Sequence, residues 1–323
     1  RSDRDWSSDV CSSDLYSAKR TVKGGVIAEI GGEGDPILTM AHVDTLGAVV
    51  AEIKSNGRLR LSPVGGFNAN NAEAHNCRVY TYDGQIYEGT IQLADASLHV
   101  NKEYSTTQRT FQSVEVVLDE PVTSKDDVKA LGITNGCFVC ADPNLVVTNS
   151  GYIKSRFLDD KLSAAILLGY AKYIRENNIT PLRKVYQHMT VFEEVGHGAC
   201  ASIPEDVTEL LSVDMGCVGD GLECTERQVS ICAKDGHGPY NYQVTTGLVN
   251  AAKKDSIDYA VDIYPFYGSD ADAALSAGKD ARHGLIGAGV YASHGYERSH
   301  KDGVVNTFRL LCSYLNGNAP KMD

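Results

Sequence analysis

The spacing of apolar and polar positions changes along the chain. Residues 24–30 (GGVIAEI) and 37–44 (ILTMAHVD) are short apolar runs separated by a Gly-rich stretch at 31–36. Runs of this kind, bounded by Gly and Pro, predict strands. Residues 47–61 predict a further strand pair that turns at Asn56-Gly57, a hairpin signal because both residues tolerate positive φ. From 65 to 149 the apolar runs stay short and β-type, at 78–82, 89–92, 113–118 and 137–141. Long helical periods are scarce there, which predicts a small β-rich insertion. Beyond Gly151 the period lengthens. Leu162, Ile166, Tyr170, Tyr173 and Ile174 form a helical stripe within 160–177, because residues three and four apart share one helix face. Strands are predicted at 185–192, 259–265 and 284–291, and helices at 241–255 and 270–277. Residues 207–214 begin in a helical pattern and end as a strand, and Val305, Phe308, Cys312 and Leu315 mark a last helix. Strands alternating with helices predict the α/β class, with a mixed, largely parallel sheet flanked by helices and the β-rich insertion added to it.

Composition narrows the choices. The 323 residues suggest about two domains, at ~150 residues each. Apolar residues at 42% and charged residues at 22% exclude a disordered or collagen-like chain. No apolar stretch approaches the ~18–20 residues needed to cross a bilayer. A net charge of -12 argues against nucleic-acid binding and against docking on anionic lipid, both of which need clustered Lys and Arg. The nine Cys are odd in number and irregular in spacing, which fits reduced, mostly buried thiols in the cytoplasm rather than a disulfide framework. Cys137 and Cys140 have CxxC spacing, but in a strand positions three apart face opposite ways. Residues 1–15 (RSDRDWSSDVCSSDL) show no apolar period and no signal-peptide pattern. They read as a non-native tail.

Five polar motifs interrupt apolar runs near predicted strand ends, where open α/β sheets place their ligands. In Ala41-His42-Val43-Asp44, residues 42 and 44 face the same way on a strand, so Asp44 can hold the second ring nitrogen of His42. Phe157-Leu158-Asp159-Asp160-Lys161 sets an acidic pair at a helix start, either as a cap or as a carboxylate bridging two cations. Val191-Phe192-Glu193-Glu194-Val195-Gly196 ends an apolar strand in two acids, and a buried carboxylate is costly unless paired or bound to metal. On an extended backbone these two side chains point apart. Leu211-Ser212-Val213-Asp214 adds one more acid, and the loop 293–300 (SHGYERSH) offers His294 or His300. Imidazole and carboxylate donors suit Zn²⁺, Co²⁺ or Mn²⁺, and five ligands with a shared carboxylate suit two cations ~3.5–4 Å apart. The spare Glu is then available for proton transfer. A glycosidase built on paired carboxylates would not need the histidines, and a non-catalytic scaffold would hold no metal.

In this order the motifs resemble the M42 family of cocatalytic-metal aminopeptidases, including the tetrahedral TET peptidases. AHVDTLG (41–47) resembles the family's AHMDEIG-type motif, and NGRLRLSPVGG (56–66) resembles the hairpin that follows it. FLDDKLS, VFEEVG, SVDMG and the GSDA stretch at 268–271 also match. The resemblance spans about 20–316. It implies a zinc-exopeptidase-like catalytic domain made of 16–64 and 150–323, and an insertion domain at 65–149 that mediates dimerisation and larger assemblies, from dimer up to dodecamer. It implies His42, Asp159, Glu194, Asp214 and His300 as metal ligands, with Asp159 bridging, Glu193 as general base and Asp44 orienting His42. It implies two divalent ions per subunit, Zn or Co, and peptide substrates with a free N-terminus. Enzymes with this metal shell also hydrolyse N-acyl amino acids or carboxy-terminal residues. The family's last motif is usually His-Ser with a Glu three to four residues on. Here Lys301-Asp302-Gly303 follow His300, so His294 stands as the alternative ligand. The segment before His42 is also short, which implies loss of the family's N-terminal helix.

Overall fold

The computed structural model describes residues 16–322. The tail expected at 1–15 lies outside them. The chain divides into two compact units. The first comprises the described residues up to Thr45, then Leu145–Ser293 and those from Glu297 onward; the second is Leu46–Asn144 with His294–Tyr296.

The first unit is built on a mixed sheet. Val185–Thr190, Ile37–His42, Glu209–Val213 and Arg282–Tyr291 lie side by side and run parallel. Antiparallel strands flank them, Val26–Gly31 on one side and Val229–Lys234 on the other. The fold class is therefore the expected one. Burial explains why the central strands read as unbroken apolar runs: every residue of Ile37–His42 is buried, as befits a strand covered on both faces. Alternation along it feeds two layers. Ile37 and Ala41 pack with Ile166, Leu167 and Tyr170 of the helix Leu158–Glu176 and with Leu310, Leu311 and Leu315 of the helix Lys301–Asn316. Leu38 and Met40 face the other way, toward Ala271 and Ala274 of the short helix Asp270–Ser276. The segment 207–214 forms only the strand Glu209–Val213 and no helix.

The second unit is a closed antiparallel barrel. Its order is Gly47–Ile53, Leu59–Val64, Val114–Leu118, Ile86–Leu93, Asn76–Tyr80 and Phe138–Ala141, which returns to the first strand. The boundary expected at 65 falls instead at Leu46. The reason is closure: Gly47–Ile53 pairs with both Leu59–Val64 and Phe138–Ala141, so the hairpin at Asn56-Gly57 supplies two staves of the barrel. Gly57 takes φ 81° at that turn. Cys137 is buried and Cys140 half-buried, and among the described residues no cysteine is bridged.

Candidate metal centre

Strand register assembles the site. Thr190 pairs with His42, and Ser212 pairs with Met40, which brings Asp214 level with His42. The C-terminal ends of three adjacent parallel strands thus deliver His42, the Glu193-Glu194 pair and Asp214 to one place. Asp159 and Asp160 arrive from the N-terminus of Leu158–Glu176. The His42 Nε2 atom lies 3.0 Å from Asp159 Oδ1 and 3.7 Å from Glu193 Oε2. Two sets of donor atoms each gather within 4.8 Å: His42 with Glu193 and Asp214, and His42 with Asp159 and Glu194. His42 is shared between them.

Main-chain bonds hold these residues in place. The His42 N–H donates to Asp160 Oδ2 at 3.1 Å, and the Asp159 N–H donates to Glu297 Oε2 at 3.0 Å. The His42 ring is oriented chiefly by a carbonyl. Its Nδ1 lies 3.2 Å from the Asp44 backbone oxygen and 3.5 Å from the Asp44 carboxylate. An Nδ1–H donor leaves the neutral ring's lone pair on Nε2, facing the acids. The Asp44 carboxylate instead accepts the N–H groups of Glu193, at 3.2 Å, and Glu194, at 3.3 Å.

That pair of bonds corrects the expected extended backbone at 193–194. The strand stops at Thr190, Phe192 takes a left-handed conformation, and Glu193–Val195 form a single 3₁₀ turn. The turn closes where Gly196 N–H meets the Glu193 carbonyl at 2.7 Å. In a turn, successive N–H groups point the same way, so one carboxylate can take both. As a result both Glu side chains reach the cluster.

His300 is also corrected. It is buried, but its Nε2–H donates to the Ser150 carbonyl at 2.8 Å and its Nδ1 accepts the Asp302 N–H at 3.1 Å. It caps the helix Lys301–Asn316, its ring meets Tyr152 edge-on, and it is not one of the grouped donors. With both ring nitrogens engaged, no lone pair is left for a metal. His294 belongs to the second unit, where its ring covers Gly66 closely enough that a Cβ there would come within 2.4 Å of Nδ1. We expect His300→Ala to lose about 1 kcal/mol of stability as a lost helix cap and to keep the wild-type metal content. Thermal melting and elemental analysis on one sample check both.

Crowding of acids sets the electrostatics. Burial, then Asp159, pushes the Asp214 carboxyl up to about 7. Burial, then Asp214, raises Asp160 and Glu193 well above the carboxylate range. For His42 burial opposes charging, but the hydrogen bonds to Asp159 and Asp44 and the field of Asp214 outweigh it, and its pKa is raised. Such a site lacks enough positive charge to balance its acids. A divalent cation answers that lack, and the donor set of one imidazole and several carboxylates fits Zn²⁺, Co²⁺ or Mn²⁺.

Asp160, Asp270 and Glu297 are not among the ligands or the base that the sequence implies. Asp160 stood in view as the second acid of the LDD motif. Asp270, buried, accepts the Ala199 N–H at 2.8 Å and is bonded by Thr190 Oγ1. It ties the loop after the Glu pair to the helix Asp270–Ser276. Glu297 stands three residues after His294, the His-to-Glu spacing of the family's last motif, and that spacing is the signal that could have marked it. A separate His/Asp group, Asp235, His237 and Asp272, also gathers within 4.8 Å. Its two carboxylates converge on the Tyr240 hydroxyl, at 2.8 and 3.1 Å.

The family model for M42 glutamyl aminopeptidase matches residues 24–310. The chain belongs to the M42 family. It is therefore a peptidase, a hydrolase of peptide bonds, which sets aside the glycosidase reading. This M42 chain is 46% identical over 298 residues to a Bacillus subtilis (strain 168) protein named aminopeptidase YhfE, covering 92% of the chain and 86% of that relative. Over 173 residues it is 24% identical to the lysyl aminopeptidase of Pyrococcus furiosus, covering 54% of the chain and 48% of that protein. In fold it is similar to aminopeptidase APDkam598 from Desulfurococcus kamchatkensis, with TM-score 0.82, 22% identity, and 96% and 87% of the two chains covered. It is likewise similar to the TET1 peptidase of Pyrococcus horikoshii, with TM-score 0.80, 23% identity, and 92% and 88% covered.

Proposed function

We propose that this M42 chain is a metal-dependent aminopeptidase that removes N-terminal residues from peptides. The observation that carries the reading is the meeting of His42 with Glu193, Glu194 and Asp214 at adjacent strand ends and with Asp159 at a helix start. Two divalent cations, Zn or Co, would be held by His42, Asp159, Glu194 and Asp214, with Asp159 shared between them. Bound there, the pair supplies a water of lowered pKa and polarises the substrate carbonyl. Glu193 takes the water's proton and passes it to the leaving amine. Asp44 keeps Glu193 and Glu194 in their turn.

Proton competition gives this reading a pH signature. Without a cation Asp214 keeps its proton below about 7. Metal must displace it, and His42, whose pKa is also raised, must give up its proton as well, so apparent affinity rises with pH from 6 to 8. Titration calorimetry in buffers of different ionisation enthalpy should show release of at least one proton per chain at pH 6. Equal metal affinity at pH 6 and pH 8 would contradict it.

The assembly reading rests on the barrel. Tyr80, Ile86 and Phe138 are cross-strand neighbours on one barrel face, and all three are exposed. A contiguous apolar patch of this kind suits self-association. The similar Pyrococcus horikoshii TET1 peptidase is described as a dodecamer and as a tetrahedron or octahedral shell. We read this chain as a homo-oligomer joined through the barrel, working in the cytoplasm. Among the described residues no helix is long and apolar enough to cross a membrane.

A panel of aminoacyl-p-nitroanilides beside N-acetylated peptides tests the substrate class. Cleavage of the free-amine substrates, lost in EDTA and restored by Zn²⁺ or Co²⁺, is expected. Preference for the blocked peptides would transfer the assignment to deacylation, and release from the carboxy end would make it a carboxypeptidase.

A further inference from the structure

The residues that bear the proposed ligands share a second feature. Several of their backbone N–H groups end on a carboxylate that is not itself a proposed ligand. His42 N–H meets Asp160, and Glu193 and Glu194 N–H meet Asp44. Asp159 N–H meets Glu297, 138 positions away in the chain. The Asp159 bond is the unusual one, because of where Asp159 sits.

Asp159 opens the helix Leu158–Glu176, and the first N–H groups of a helix have no partner inside it. A side chain at the cap position normally supplies one. Here the cap is Phe157 in the left-handed conformation at φ 66°, and it makes no side-chain cap bond. Asp159 and Asp160 themselves have non-helical backbone angles. The helix start therefore does not hold its own geometry locally. Glu297 replaces the missing cap from another element. Antiparallel pairing of Tyr152–Ser155 with Glu297–His300 sets Glu297 opposite Ser155, just before the turn into the helix. Glu297 is only 2% exposed. Arg156, equally buried, feels the field of its carboxylate. A buried, charged acceptor makes a stronger and more directional bond than a neutral one.

We propose that Glu297 is a positioning residue for the metal centre. By gripping the Asp159 main chain, it sets the direction of the carboxylate that the two cations share. This rests on the metallopeptidase reading. Glu297 is not one of the grouped donors, and its proposed action on the site runs through Asp159. Partners of this kind behind a ligand usually change metal affinity or activity by about 10–100-fold when removed.

The test compares the full-length chain with Glu297→Ala, Glu297→Gln and Glu297→Asp. Zn²⁺ affinity is read by chelator competition, and kcat and KM are read at saturating Zn²⁺. Thermal midpoints are read on the same samples. In Glu297→Ala we expect Zn²⁺ affinity about 10–100-fold weaker and a fall in kcat with KM little changed. Glu297→Gln keeps an oxygen acceptor of the same reach and should recover most of the loss. If the Ala variant does not fold, Glu297→Asp, one methylene too short, should show the loss that Gln repairs. A variant with a lower thermal midpoint but wild-type Zn²⁺ affinity and kcat would overturn the proposal and leave Glu297 a plain structural cap. Failure of the wild-type control to bind Zn²⁺ would instead overturn the metallopeptidase reading, and the positioning role with it.

Discussion

Glu193→Gln keeps its metal and folds, but turns peptides over about 10²–10⁴-fold more slowly, the usual contribution of a positioned acid–base group. The argument is chemical and geometric. Glutamine fills the same volume and can still donate its backbone N–H to Asp44, since that bond spares the side chain. The variant therefore preserves the 3₁₀ turn at 193–195 and the placement of Glu194. What it loses is a group able to take and return a proton. Because the change falls on proton transfer and not on binding, kcat should drop and KM should stay close to wild type. Steady-state kinetics with elemental analysis of the same preparation decides the matter. Wild-type kcat with full metal would remove Glu193 from the role. Lost metal would make it a ligand, and Glu194→Gln would then be the variant to test as the base.

Asp159→Asn should be more severe for metal and equally severe for activity. Asp159 lies 3.0 Å from His42 Nε2 and belongs to one donor set, while its charge also bears on Asp214 in the other. Replacing it with a neutral amide removes the only carboxylate proposed to serve both cations. We expect metal content to fall from two equivalents per chain to one or none, and peptidase turnover to fall to background. The metal-free protein should respond in the opposite sense. Asp159 is one reason the Asp214 carboxyl is pushed up to about 7. Without that charge Asp214 should ionise at lower pH. A raised folded-state pKa in an acid gives stability that is present at low pH and lost as pH rises through the folded value. The metal-free Asn variant should therefore hold its stability better than metal-free wild type when pH is taken from 5 to 8. Chemical denaturation at the two pH values reads this. Two equivalents of metal in Asp159→Asn would show that the cations are not joined through this residue.

Much of this protein is legible from the chain alone, and the reason is local. Side-chain period reveals which residues face a core, so the parallel strands and the helices 158–176, 242–254 and 301–316 follow from apolar spacing. Acids and an imidazole placed where apolar runs stop are costly to bury without a partner, so His42, Asp159, Glu193, Glu194 and Asp214 stand out as candidates before any contact is known. Contacts between distant segments decided the rest. Whether Glu193 and Glu194 point apart or together depends on Asp44, which accepts both N–H groups from another strand. Whether His300 is a donor to metal or a helix cap depends on Ser150 and Asp302, which engage both of its nitrogens. The barrel begins at Leu46 and not at 65 because ring closure needs the Gly47–Val64 hairpin, and no residue pattern reports closure. The spacing from His294 could have marked Glu297, but not what it holds: its partner is a main-chain N–H, and a backbone group is identical at every position until the fold brings one acceptor to it.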